Sequence, residues 1–275
     1  MSSQAILERW NGFVQKITSR LQEIMREADA GFEGLLADPN LDVITFSNAM
    51  SALDIRKKDL AQKLSNTFSE QVAIQLAMDS TAENAAQDQM HKADRWMDET
   101  WERYRTQWNL KLVQTLWTRM EKVINREVHC VRCAAVLSPT IRHKAESITC
   151  AHCKAVNSVT PEPAVYNYFC TAPHLYAEAM ALEHRFAVEH FKQRLDAERS
   201  VRVHQHDDWR ETNLEELLQW EALERQYWTV YYQMQARLTP MSDAELAQWV
   251  ESRMRPLYEY DFNQRQVWRK YKGIT

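Results

Sequence analysis

The sequence has almost no glycine. Only 4 of its 275 residues are glycine, and none lies between Gly34 and Gly273. Glycine provides backbone at positive φ and lets a chain approach a ligand closely. Its scarcity excludes glycine-rich phosphate loops and dinucleotide fingerprints. It also argues against long barrels and sandwiches, whose tight turns recur about every 8–12 residues. Proline is sparse and clustered: Pro39, then Pro139, Pro161, Pro163 and Pro173, then Pro240 and Pro256. A chain that avoids both breakers over such lengths is predicted to be mainly helical.

Long apolar runs are missing as well. None approaches the ~18–20 residues of a membrane helix, so no membrane association is expected. The opening MSSQAILERW places Glu8 and Arg9 before any apolar block, unlike a signal peptide. A cytoplasmic protein with reduced thiols is expected. The net charge of −4 is too small for whole-surface attraction to nucleic acid or anionic lipid. At 45% hydrophobic and 26% charged residues, the chain belongs with folded proteins, not disordered ones. No serine or cysteine sits in a recognisable nucleophile signature, and no enzymatic activity is expected.

Tryptophan, by contrast, is plentiful. There are 10, and none falls between residues 118 and 208. All five cysteines lie in that gap. The composition therefore predicts an N-terminal long-helix region over 1–127, a different middle over 128–163, and a C-terminal helical region over 164–275.

Apolar periodicity fills in the helices. Ile6, Trp10, Phe13, Ile17, Leu21 and Ile24 predict a helix over 4–30, followed by a turn marked by Gly31, Gly34, Pro39 and Asn40. Met50, Leu53, Leu60, Leu64, Thr67, Ile74 and Met78 predict a second over 42–79, with Lys57 and Gln71 interrupting the stripe. Asp79, Ser80 and Thr81 offer a break, though nothing forbids continuation. Met97, Trp101, Tyr104, Trp108, Leu112, Leu116, Met120 and Val123 predict a long helix over 82–127. At 1.5 Å per residue it spans roughly 70 Å and needs a partner helix. Thr171 and Pro173 suggest the start of a helix reaching about 206, with Leu175, Ala179, Leu182 and Phe186 on its apolar face. Capping boxes at Thr212–Glu215 and Ser242–Glu245 suggest two more starts. Pro256 should kink or stop the last helix.

The middle carries the chemistry. Cys130-x-x-Cys133 and Cys150-x-x-Cys153 are separated by sixteen residues. Two intervening residues let each pair aim both sulfurs at one point, and four thiolates complete a tetrahedron around Zn²⁺. Val136-Leu137 and Ile148-Thr149 suit short strands, with room for a hairpin between the pairs. Residues 128–160 resemble the zinc-ribbon family of small β modules. That resemblance implies one structural Zn²⁺ held by Cys130, Cys133, Cys150 and Cys153. One departure is visible: a glycine often follows each knuckle in that family, and here Ala134 and Lys154 stand in its place. Four thiolates saturate zinc, so the expected role is structural.

His129, His143 and His152 flank the motif as alternative ligands, better explained as surface residues. Cys170 lies outside it and is expected to be a buried hydrophobe. His204 and His206, with Asp207 and Asp208, are another metal candidate, outweighed by an exposed polar junction. Asp88-x-x-His91 lacks the second element that a helical di-iron site needs. Glu183-His184 and Glu189-His190 do not share a helical face. The ribbon is basic: Arg126, Arg132, Arg142, Lys144 and Lys154 stand against Glu127 and Glu146. Nucleic-acid contact is thus a second expectation, weakened by the lack of aromatic side chains for base stacking between the knuckles. Trp96, Trp117, Trp220 and Trp268 sit off their helical stripes and could anchor a protein partner or a homodimer seam.

The expected fold is mainly α, an elongated coiled-coil-like helical bundle with a small inserted β zinc ribbon. The expected function is that of a non-enzymatic adaptor or scaffold acting through protein–protein contact.

Overall fold

Ser2 opens the first helix by accepting from the Ala5 amide. In this computed structural model, which describes residues 2–139, 143–205 and 209–272, that helix is α1 (Ser3–Ala37). For residues 196, 198–205, 209–214, 217 and 258–272 it describes the backbone alone. The chain is mainly helical and continues as α2 (Val43–Thr67), a π-helical turn (Phe68–Val72), α3 (Ala73–Leu76) and α4 (Ser80–Glu121). Strands β1 (Val128–His129), β2 (Val136–Leu137), β3 (Glu146–Thr149) and β4 (Val156–Val159) follow. Helices α5 (Pro163–Met180), α6 (Leu182–Gln205), α7 (Trp209–Leu238) and α8 (Asp243–Lys272) complete it. Packing divides the chain into two units, Met1–Lys111 and Leu112–Thr275, with the boundary inside α4. Among the described residues, no helix is long and apolar enough to cross a membrane.

In the first unit, Ile6, Trp10, Ile17, Leu21 and Ile24 are buried as their spacing predicts. Val14 joins them in the core, while Phe13 is half-buried and stacks on Trp10. The turn predicted from Gly31 forms later, because α1 runs through both Gly31 and Gly34 to Ala37. Each glycine weakens a helix by roughly 1 kcal/mol. Burial of Phe32 between them, against Phe46 and Trp108, offsets that. Asp42 then caps α2 through the Ile44 and Thr45 amides.

The stripe predicted beyond Leu64 is wrong. Ile74 and Met78 are exposed, and the buried residues are Leu64, Phe68, Val72 and Leu76. Three successive steps of four would rotate an α-helix about 120° off its seam. The π turn at Phe68–Val72 widens the spiral and holds these residues on one face. The helix then breaks at residues 77–79, and Asp79 accepts from the Ala82 amide at the start of α4. Lys57 is buried as a seam residue, its ammonium paired with Asp98 of α4. Tyr104 donates to Asp29, 3.0 Å, again tying α4 to α1. The long helix therefore finds its partners within its own chain.

In the second unit, α7 packs against α5, α6 and α8. Ala172, Ala177 and Ala181 on α5 and its end are fully buried. Tyr231 and Tyr232 of α7 share a core with Ala177, Ala181, Val250 and Met254. Helix α5 starts at Pro163, ahead of the predicted start at Thr171 and Pro173, and carries Pro173 inside it. Burial of Val165, Tyr168 and Ala172 holds the helix across that proline. Leu175 and Ala179 are only half-buried. Helix α7 already begins at Trp209, ahead of the predicted box, and the Thr212 side chain lies outside the described residues. The Ser242–Glu245 capping box is formed: Ser242 N donates to Glu245, 2.8 Å, and Glu245 N to Ser242 Oγ, 3.3 Å. Pro256 does not end α8.

Candidate metal centre

The two Cys-x-x-Cys pairs occupy the turns of two separate hairpins. Strand β1 pairs antiparallel with β2, Val128 opposite Leu137, and β3 pairs with β4, Ile148 opposite Asn157. A hairpin between the pairs was expected from sequence. The structure instead wraps one hairpin around each pair, because each knuckle itself reverses the chain. Cys130 N donates to Ala135 O, 2.8 Å, and Ala134 N returns to Cys130 O, 2.9 Å. Cys150 N to Ala155 O, 2.9 Å, and Lys154 N to Cys150 O, 3.0 Å, repeat the pattern.

These equivalent knuckles bring the four sulfurs together. Cys130 Sγ lies 3.6 Å from Cys153 Sγ, and Cys133 Sγ lies 3.6 Å from Cys150 Sγ. All four lie within 4.8 Å of one another. A tetrahedron of sulfurs about 2.3 Å from a central ion has edges of about 3.8 Å, so the set can hold a metal ion. Cys130 and Cys150 are buried, and all five cysteines of the chain are free thiols.

Backbone amides prepare the sulfurs for negative charge. The Arg132 amide, with that of Cys133, holds the Cys130 thiol down at about 6. The Cys153 and His152 amides lower that of Cys150. At Cys133 the Ala135 amide acts in the same direction. The neighbouring thiols, led by Cys153, and burial outweigh it and raise the group to about 12. Four adjacent thiols resist joint ionisation unless a cation compensates them.

Comparison with family models and with curated proteins finds no match, and no solved structure matches either. The site therefore rests on its own geometry.

The positions where glycine is missing show what the knuckles demand. Ala134 has φ 58° and Lys154 φ 62°, both left-handed. This conformation costs an L-residue about 1–2 kcal/mol. Glycine would relieve it but lose more entropy on folding. Ala134→Gly and Lys154→Gly are each expected to stabilise the module by about 0.5–1 kcal/mol, raising metal affinity roughly 2–5-fold. Competition with a chromophoric chelator measures this, and weaker binding by either variant would contradict it.

Asn157 went unnoticed in the sequence. It is a buried polar residue on β4 whose Oδ1 accepts from the Val131 amide, 3.0 Å, inside the other knuckle. Its Nδ2 donates to Ala155 O, 3.0 Å. One side chain thus clamps the hairpins together and helps lower the Cys130 thiol. A signal for it existed. Cys130–Ser138 and Cys150–Ser158 are copies offset by 20 residues, CVRCAAVLS and CAHCKAVNS. Asn157 stands where the first copy has Leu137, which packs with Cys130 and Cys150 in the module's small apolar cluster.

The other candidates lie elsewhere. His129 Nδ1 donates to Ala134 O, 3.1 Å, His143 stacks on Phe169, and His152 is exposed. Cys170 is exposed beside Tyr166, so the buried reading was wrong; α5 turns it away from the face of Tyr168 and Ala172. Asp88 pairs with Lys92, 2.6 Å. His206, Asp207, Asp208 and the His204 side chain lie outside the described residues, as does the Trp268 side chain.

Proposed function

We propose that this chain is a non-enzymatic adaptor or scaffold of the cytoplasm, stabilised by one structural Zn²⁺. The observation that carries the proposal is the closed donor set. Four sulfurs around one point leave a tetrahedral ion no position for water or substrate. Such a site contributes folding energy, not catalysis. Four thiolate donors in this arrangement select zinc or iron, and the zinc-ribbon resemblance favours zinc.

Exposed apolar side chains supply the contact surface. Ile74 and Met78 lie four residues apart on the outside of the first unit, and Trp96, Trp117 and Trp249 are also exposed. Aromatic and methionine side chains are favoured at protein interfaces. The basic ribbon fits nucleic acid less well, since residues 128–160 contain no Trp, Tyr or Phe to stack on bases.

Capture from the source cell tests the reading. The intact chain should retain a discrete protein partner, and a variant with Ile74→Glu and Met78→Glu should lose it while keeping its helical circular dichroism. A salt-dependent gel shift with oligonucleotides, with no partner retained, would replace the adaptor by the nucleic-acid reading.

A further inference from the structure

Away from the metal centre, α7 and α8 line an open surface cavity of about 410 Å³. That lies within the roughly 300–1,000 Å³ of ligand pockets. Its lining includes Trp220, Glu224, Trp228, Arg253, Met254 and Pro256. The two indoles are two helical turns apart on α7, about 12 Å along the axis, with Glu224 between them.

The electrostatics exclude a cationic ligand. Each indole already carries a cation on its face: Lys192 Nζ is 5.1 Å from the Trp220 ring and Arg253 Cζ is 5.0 Å from that of Trp228. Glu224 is spoken for, accepting from Lys192, 2.7 Å, and from Trp220 Nε1, 3.1 Å. Arg253 is different. Its Nε donates to Tyr232 Oη, 3.0 Å, and its Cζ lies over the Trp228 ring. No carboxylate pairs with it among the described residues. Among the described residues its terminal nitrogens are thus unpaired, a fork for a planar anion, held at Nε by Tyr232. Among the described residues, one unpaired cation beside Glu224 suits a monoanion better than a dianionic phosphate.

We infer that this cavity binds an aryl carboxylate, the carboxylate on Arg253 and the ring in the space lined by Trp220, Trp228 and Met254. The source is either a free aromatic acid or the carboxyl-terminal aromatic residue of a peptide. The inference does not depend on the metal site or on the adaptor reading.

The full chain labelled with 5-fluorotryptophan provides the test, with Trp220 and Trp228 assigned through their phenylalanine variants. Phenylacetate should shift those two ¹⁹F resonances saturably, and phenylacetamide should bind at least about tenfold more weakly, as loss of a charge-assisted bond requires. Arg253→Gln should weaken phenylacetate by a similar factor with the other resonances unmoved, and Arg253→Lys should restore part of the loss. Binding of Gly-Gly-Phe with a free carboxylate, and not of its amide, assigns the pocket to peptide ends. Binding of phenylacetate alone assigns it to small acids. The inference is overturned by an absent or unsaturable shift, by equal affinity for acid and amide, by tighter binding of phenyl phosphate, or by an Arg253→Gln variant that binds normally.

Discussion

Replacing Cys150 with serine is expected to abolish metal binding and unfold residues 128–160, while most of the helical circular dichroism survives. The apolar cluster of this module is small. Cys130, Leu137 and Cys150 are its buried members, with Val128, Ile148 and Val159 partly covered. A segment of this size cannot support itself on such a core. Zinc supplies about 10–16 kcal/mol of apparent binding energy in small structural sites, and that energy is also folding energy. Cys150 is 1% exposed and collects the Cys153 and His152 amides, so serine leaves those donors without their thiolate and the ion without a fourth sulfur. Elemental analysis should read about one zinc per intact chain and none for the variant. A chelator should reproduce the effect on the intact protein.

The loss should stay local because the links seen among the described residues between this segment and the helices lie at its margins. Arg126 meets Glu162, 3.6 Å, and His143 stacks on Phe169, ring centroids 4.7 Å apart. The core of α5 and α7 is built from Ala177, Ala181, Tyr231 and Met254 instead. A helical signal that collapsed together with the metal would show the ribbon to be a nucleus for the second unit, not an inserted module.

How far the sequence reveals this molecule depends on how local each determinant is. The four-cysteine cluster is legible because the Cys-x-x-Cys spacing that a metal site needs brings the sulfurs together whatever surrounds it. The seams of α1 and α4 are legible because Trp10, Leu21, Met97 and Trp108 obey an undisturbed helical period. Where the period changes, legibility ends. A π turn moves the core from Ile74 and Met78 to Val72 and Leu76, and rules of 3.6 residues per turn follow the wrong face. Breakers mislead for a related reason. Gly31, Gly34 and Pro173 each cost helix stability locally, and burial of Phe32, Tyr168 and Ala172 by distant partners outweighs them. Asn157 shows a third limit: in sequence it is one polar residue in a strand, and its role exists only once the second knuckle lies beside it. The duplicated knuckle was readable, since its 20-residue offset is printed in the sequence itself.

Trp10→Ala is expected to destabilise the first unit by about 3–5 kcal/mol, lowering its thermal midpoint by roughly 10–20 °C. Trp10 is 2% exposed and is packed in one cluster with Leu64, Phe68, Val72 and Leu76. It stacks on Phe13, ring centroids 5.7 Å apart, and lies 5.9 Å from Phe68 at the π turn. Its Nε1 also donates to the carbonyl of fully buried Ala86 in α4, 3.0 Å. Truncation therefore opens a cavity where three helical segments meet and removes a bond between α1 and α4. Trp10→Phe separates the two effects. It keeps most of the ring contact and gives up the hydrogen bond, which contributes about 1 kcal/mol. Its midpoint should fall much less than that of alanine. All four clustered cysteines lie in the second unit, so both variants should still carry about one zinc per chain. An unmoved midpoint for Trp10→Ala would mean that this residue does not anchor α1 to α4. The seam shared by Leu64, Phe68 and Leu76 would then owe its stability to α2 and α4 alone.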